Sequence, residues 1–121
     1  MAQNPPGQIP DAGSRFADRR TVPRFAFDAP AELVEPIARA HIFGRVTEIS
    51  QKGCFAEVPD PFAASPVVRL KITNGAEIFT TWARELYHRS GSGVGLRFID
   101  TAPDQTKIVM AWVNGLEKIE G

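Results

Sequence analysis

The sequence predicts an all-β fold with one C-terminal helix, a six-stranded antiparallel barrel, closed or split, and three observations predict it. Short β-branched and aromatic runs recur six times between Phe25 and Ile99. The segments between them are short, and most carry the Gly, Pro, Asn or Ser that turns need. Helical periodicity shows only after Ala102. Many short strands joined by short turns suit a small barrel, because closure removes exposed sheet edges.

Residues 1–14 are rich in Pro and Gly, with Ile9 the single bulky aliphatic. Such a segment buries too little apolar surface to offset its ordering entropy, so it is expected to be a disordered tail, with the folded domain spanning 15–121. In the first strand Phe25, Phe27, Ala29 and Ala31 alternate with Ala26, Asp28 and Pro30, then Leu33 and Val34 follow. Pro30 points to an edge or a bulge. His41–Ile49 is the second strand, with Gly44 as an expected bulge, and Gly53–Val58 the third, closed by Pro59-Asp60-Pro61. Val67–Thr73 and Ala76–Tyr87 flank Asn74-Gly75, a hairpin signal because both residues tolerate positive φ. Val94–Ile99 is the sixth strand. A helix over about 103–119 is expected from Pro103 at its start, Asp104 in its first turn, and Ile108, Trp112, Leu116 and Ile119 at helical spacing. Trp112 reads as a packing anchor in that stripe.

A chain of 121 residues forms one core, and 43% hydrophobic with 23% charged residues is an ordinary globular profile. Lys plus Arg equals Asp plus Glu at 14 each, so no net field steers a nucleic acid or an acidic membrane, and attraction for an anion must be local. The barrel from Phe25 onward is not net basic, which argues against a single-stranded nucleic-acid binder needing a basic groove with exposed aromatics. Cys54, the single cysteine, forms no internal disulfide. No signal-peptide pattern or run approaching ~18 apolar residues occurs, so a cytoplasmic protein without membrane insertion is expected.

Signs of catalysis are missing. His41 and His88 lie in strand-like runs without metal-ligand spacing, and no nucleophile elbow or HExxH occurs. Gly91, Gly93 and Gly95 lead into a strand, so no helix N-terminus awaits a phosphate. The expectation is a non-enzyme with no catalytic residues, metal or cofactor.

Two local features carry anion chemistry. Arg15–Arg24 holds Arg15, Arg19, Arg20 and Arg24 against Asp18 alone, where the tail meets the first strand. Guanidinium forks match phosphate oxygens and stack flat on purines, and Pro23 fixes the approach to Arg24. Thr47–Gly53 lies between two strands, with Glu48 and Ser50 two apart on one face and Gly53 able to take positive φ and admit close backbone approach. A carboxylate there accepts from the N1–H and N2–H₂ edge of a guanine, and a hydroxyl adds a donor or acceptor. Taken singly, each feature also fits a plainer reading: a solvated basic boundary and an ordinary hairpin turn.

Together they resemble one family. Arg20-Thr21-Val22-Pro23-Arg24 resembles the Arg-x-x-x-Arg motif of PilZ domains, and Glu48-Ile49-Ser50-Gln51-Lys52-Gly53 their Asp/Asn-x-Ser-x-x-Gly motif. Gly53-Cys54-Phe55 and Gly93–Phe98 are similar as well. The resemblance implies a bacterial six-stranded barrel that binds cyclic di-GMP, with Arg19, Arg20 and Arg24 on phosphates and guanine faces, Glu48 and Ser50 on a guanine edge, and Gly53 shaping the turn. Arg19, just before the first motif, resembles the arginines that take up an intercalated pair of ligands and implies two cyclic di-GMP per chain. Ordering of the hinge would then signal to an unidentified effector protein. Glu48 departs from the family's Asp or Asn by one methylene, a shift of roughly 1.5 Å. The alternative it keeps open is a degenerate module that binds no nucleotide and serves as a protein-interaction scaffold.

Overall fold

Alternation along the first strand puts Phe25, Ala29, Ala31 and Leu33 on one face, and in the computed structural model that face is buried in a barrel core. The structure describes residues 22–59 and 66–116; Arg19, Arg20, the expected tail and Ile119 lie outside them. The six strands are β1 (Phe25–Glu35), β2 (Ala40–Ile49), β3 (Gly53–Glu57), β4 (Val67–Asn74), β5 (Glu77–Arg89) and β6 (Gly93–Ile99). They close in the order β1-β2-β3-β6-β5-β4, every pair antiparallel. Leu33, Val46, Ile49, Leu70, Ile72 and Phe79 fill the interior with no solvent exposure.

Helix α1 (Pro103–Asn114) begins on Pro103 and places Asp104 in its first turn. It buries Val109, Trp112 and Val113, with Ile108 and Leu116 half-buried beside them. Trp112 stacks on Phe27 at 5.6 Å and meets the edge of Phe79 at 6.1 Å, while its Nε1 donates to Glu77 at 2.7 Å. Gln105 accepts from the Thr80 backbone N–H at 2.8 Å, beyond the point where the β5–β6 ladder ends at Trp82 and Ile99. The helix therefore satisfies a backbone donor that the sheet leaves open. It stops at Asn114, with Gly115 as its C-cap.

Two local expectations are corrected. The β4–β5 loop is Gly75-Ala76, one residue later than Asn74-Gly75, since Asn74 pairs with Glu77. Gly75 alone takes positive φ, at 63°, so a glycine at the first loop position suffices and Asn74 stays extended. Gly44 pairs regularly with Ala31 rather than forming a bulge; its missing side chain makes room for the Glu57 carbonyl, 2.1 Å from where a Cβ would stand. The bulges lie instead between Ala26 and Ala29, between Val46 and Glu48, and between Glu85 and Tyr87.

These bulges decide which side chains reach the surface. Val46 and Ile49 are both fully buried although three residues apart, so the extra residue in β2 inverts the alternation. Strict period-two spacing from Val46 would turn Glu48 into the core. The bulge turns it out. On β5 the same device leaves the adjacent Leu86 and Tyr87 both exposed, at 56% and 40%.

Candidate functional site

One end of the barrel, where β1 begins and the β2–β3 turn meets β5 and β6, carries an open cleft of about 200 Å³. Val22, Leu86, Tyr87 and Leu96 give it an apolar floor and wall, and Arg24, Lys52 and Arg97 supply three cations against no acid. An apolar surface with a few placed charges is the usual make-up of a small-ligand site, although whole sites commonly run about 300–1,000 Å³.

Arg24 and Glu48 come from the two sequence motifs, and the fold brings them into contact. Arg24 Nη1 lies 2.9 Å from Glu48 Oε1, with the two side chains 39% and 37% exposed. The pair is electrostatic rather than well directed: Glu48 Oε1 is itself buried and accepts no hydrogen bond of good geometry. An ion pair this exposed contributes about 0–1 kcal/mol to the fold. The two side chains can therefore be separated at small cost to the fold.

Ser50 stands in the β2–β3 turn and its hydroxyl is fully used there. Oγ accepts from the backbone N–H of Lys52 at 3.2 Å and of Gly53 at 3.1 Å, and donates to the Gly53 carbonyl at 3.2 Å. Ser50 N–H donates to that same carbonyl at 2.8 Å. The Lys52 carbonyl in turn accepts from Phe98 N–H at 2.8 Å, which ties the turn to β6. Gly53 does not take positive φ, so that part of the expectation is corrected. Close approach is what requires glycine: a Cβ at Gly53 would stand 2.2 Å from the Leu96 carbonyl.

The far wall was not anticipated from sequence. Tyr87 lies over Gly95, where a Cβ would meet its ring at 2.3 Å. The same ring stacks against Phe55 at 6.2 Å, and the Arg89 guanidinium covers both rings at 5.3 and 5.4 Å. Arg97 is the single charge within the apolar run Gly93–Ile99, between buried Leu96 and half-buried Phe98. That isolation is the signal that could have marked it.

Cys54 also lines the cleft but offers no nucleophile. The residue keeps partial exposure, yet burial of its thiol pushes the pKa up to about 12. The thiolate is the reactive form. Alkylation by iodoacetamide at pH 8 is expected to run at least about a hundredfold slower in the folded chain than in denaturant; equal rates would show the thiol to be open. Among the described residues no group of His, Cys, Asp and Glu could hold a metal ion, and no helix is long and apolar enough to cross a membrane.

The fold has counterparts in known proteins. The PilZ domain of YcgR from Escherichia coli, a structure determined with c-di-GMP, is 12% identical, with a TM-score of 0.62 over 81% of this chain and 91% of that one. The PilZ domain of CeSA from a cellulose-synthesizing bacterium is 21% identical, with a TM-score of 0.62 over 76% and 95%. The Bacillus subtilis inhibitor of motility, MotI/DgrA, is 15% identical, with a TM-score of 0.62 over 79% of this chain and 49% of that one, so this chain spans about half its length. No curated protein matches the sequence. The profile of the PilZ domain matches residues 18–115, which takes in both motifs, all six strands and the helix, and the chain belongs to the PilZ domain family.

Proposed function

We propose that this chain is a receptor for cyclic di-GMP, binding it at the cleft where the two motifs meet and signalling through contact with an effector protein. The observation that carries the reading is the Arg24–Glu48 contact, which joins residues 24 positions apart at the edge of an apolar, cationic cleft. Arg24, with Arg19 and Arg20, binds phosphate and stacks on guanine. Glu48 accepts from a guanine N1–H and N2–H₂ edge, and Gly53 lets the turn lie close to β6. Ser50 holds that turn, since its hydroxyl bonds are made within it. Arg19 supports two ligands per chain, an extra guanidinium being able to stack on a second guanine and help neutralise four phosphates. Binding draws residues 15–24 over the barrel and presents a new surface to the effector. No catalytic step is assigned.

The Glu48 series tests the carboxylate. Glu48→Gln is expected to weaken cyclic di-GMP binding by about 1–3 kcal/mol, because the amide NH₂ cannot accept and one charge-assisted bond is lost. Glu48→Asp is expected to bind as well as the unmodified chain or better. Calorimetry reads both, and flat affinity across the series would remove Glu48 from the site. Gain of binding in Glu48→Asp by a chain that otherwise binds nothing would favour the scaffold reading instead.

A further inference from the structure

A like-charge pair stands beside the cleft on the barrel wall. Arg97 on β6 lies directly opposite Arg84 on β5, and on its other side opposite Gly53 on β3, which has no side chain to offer it. Directly opposite residues project to one face with their Cβ atoms about 4.5–5.5 Å apart, and like charges so placed repel. Both arginines are exposed. Arg84, Arg97 and Lys52 have no ion-pair partner among the described residues, whereas Arg24, Arg45 and Lys71 each have one. In a chain with 14 cations and 14 anions this is local sorting of charge rather than a basic composition.

We propose that Arg97 and Arg84 form a barrel-borne phosphate subsite that works opposite the arginine motif, an inference that rests on the cleft being a cyclic dinucleotide site. A cyclic dinucleotide carries two phosphodiesters on opposite sides of its ring. A clamp built only from the N-terminal side would match one of them and leave the other facing the barrel. Arg97 lines the same cleft as Arg24 but comes from strand β6 of the barrel rather than from the segment before β1, and Leu96 and Tyr87 share the lining with them. Its guanidinium fork takes two phosphate oxygens, and Arg84, one strand further out, adds charge behind it. The anion relieves the repulsion between the two arginines.

The subsite is separable from a structural role because removing either charge should help the fold and harm binding. In the full chain, Arg97→Gln is expected to weaken cyclic di-GMP binding about 10- to 100-fold and Arg84→Gln by several-fold, with a shallower salt dependence in both. Their thermal midpoints are expected to hold or to rise by on the order of 1–4 °C as the repulsion is lifted. Affinity within twofold of the unmodified chain, while Arg24→Ala still weakens binding, would overturn the subsite and leave the proposed function standing. Loss of affinity together with a lowered midpoint would assign both arginines to the fold and overturn it as well. If the unmodified chain takes up no cyclic di-GMP, the subsite and the receptor reading fall together.

Discussion

Arg24→Ala is expected to lower the affinity for cyclic di-GMP by about 10- to 100-fold while changing the stability of the fold by less than about 1 kcal/mol. The first figure follows from the loss of a bidentate, charge-assisted contact to phosphate, about 1.5–3 kcal/mol. The second follows from the position of the side chain. It is 39% exposed and its partner in the protein is Glu48, at 2.9 Å, an exposed pair of small worth. Phe25, the next residue, is already in the core, so the substitution stops short of the packing. Calorimetry with cyclic di-GMP beside a urea titration reads both quantities from one preparation. Unchanged affinity would take the arginine motif out of the site, and a large loss of stability would make Arg24 a structural residue.

Phe79→Ala is expected to act in the opposite sense, destabilising the fold by about 3–5 kcal/mol. Phe79 is fully buried and sits where three elements meet. Its ring meets Phe98 of β6 at 5.1 Å and Trp112 of the helix at 6.1 Å, both edge to face. Trp112 in turn stacks on Phe27 of β1, so the truncation opens a cavity under the helix and loosens its hold on two strands. A fall in thermal midpoint of more than about 10 °C follows for a domain of this size. Trp112 fluorescence, one of two tryptophan signals in the chain, reports the same loosening. A cost under about 1 kcal/mol would show that the helix does not rely on this cluster.

The barrel was legible because its strands alternate. From Phe25 to Leu33 the apolar positions fall in step with the buried face, and Ile108 and Trp112 lie on the packed side of α1 with Leu116 packed just past its end. Bulges were less legible, since an extra residue leaves no mark in composition. Gly44 drew the expectation of one because glycine is common at such places, yet here it serves close approach to Glu57. The bulge that β2 does carry, between Val46 and Glu48, falls at Val46 and Thr47, ordinary β-formers.

The site was half legible for the same reason. Arg24, Glu48, Ser50 and Gly53 were found by motif, and the fold gathers them at one end of the barrel. Glu48 faces out through the β2 bulge, not through simple alternation. Tyr87 needed the β5 bulge and the bare Gly95 beneath it, and Arg97 needed the β6 register. These are long-range pairings that no local pattern encodes.

Titration of the unmodified full chain with cyclic di-GMP by calorimetry tests the central claim most directly. Saturable binding is predicted, with two ligands per chain and an affinity that falls as salt is raised. One ligand per chain would correct the part given to Arg19 alone. No saturable binding at any salt concentration that keeps the barrel folded would contradict the assignment of this cleft as a cyclic di-GMP site.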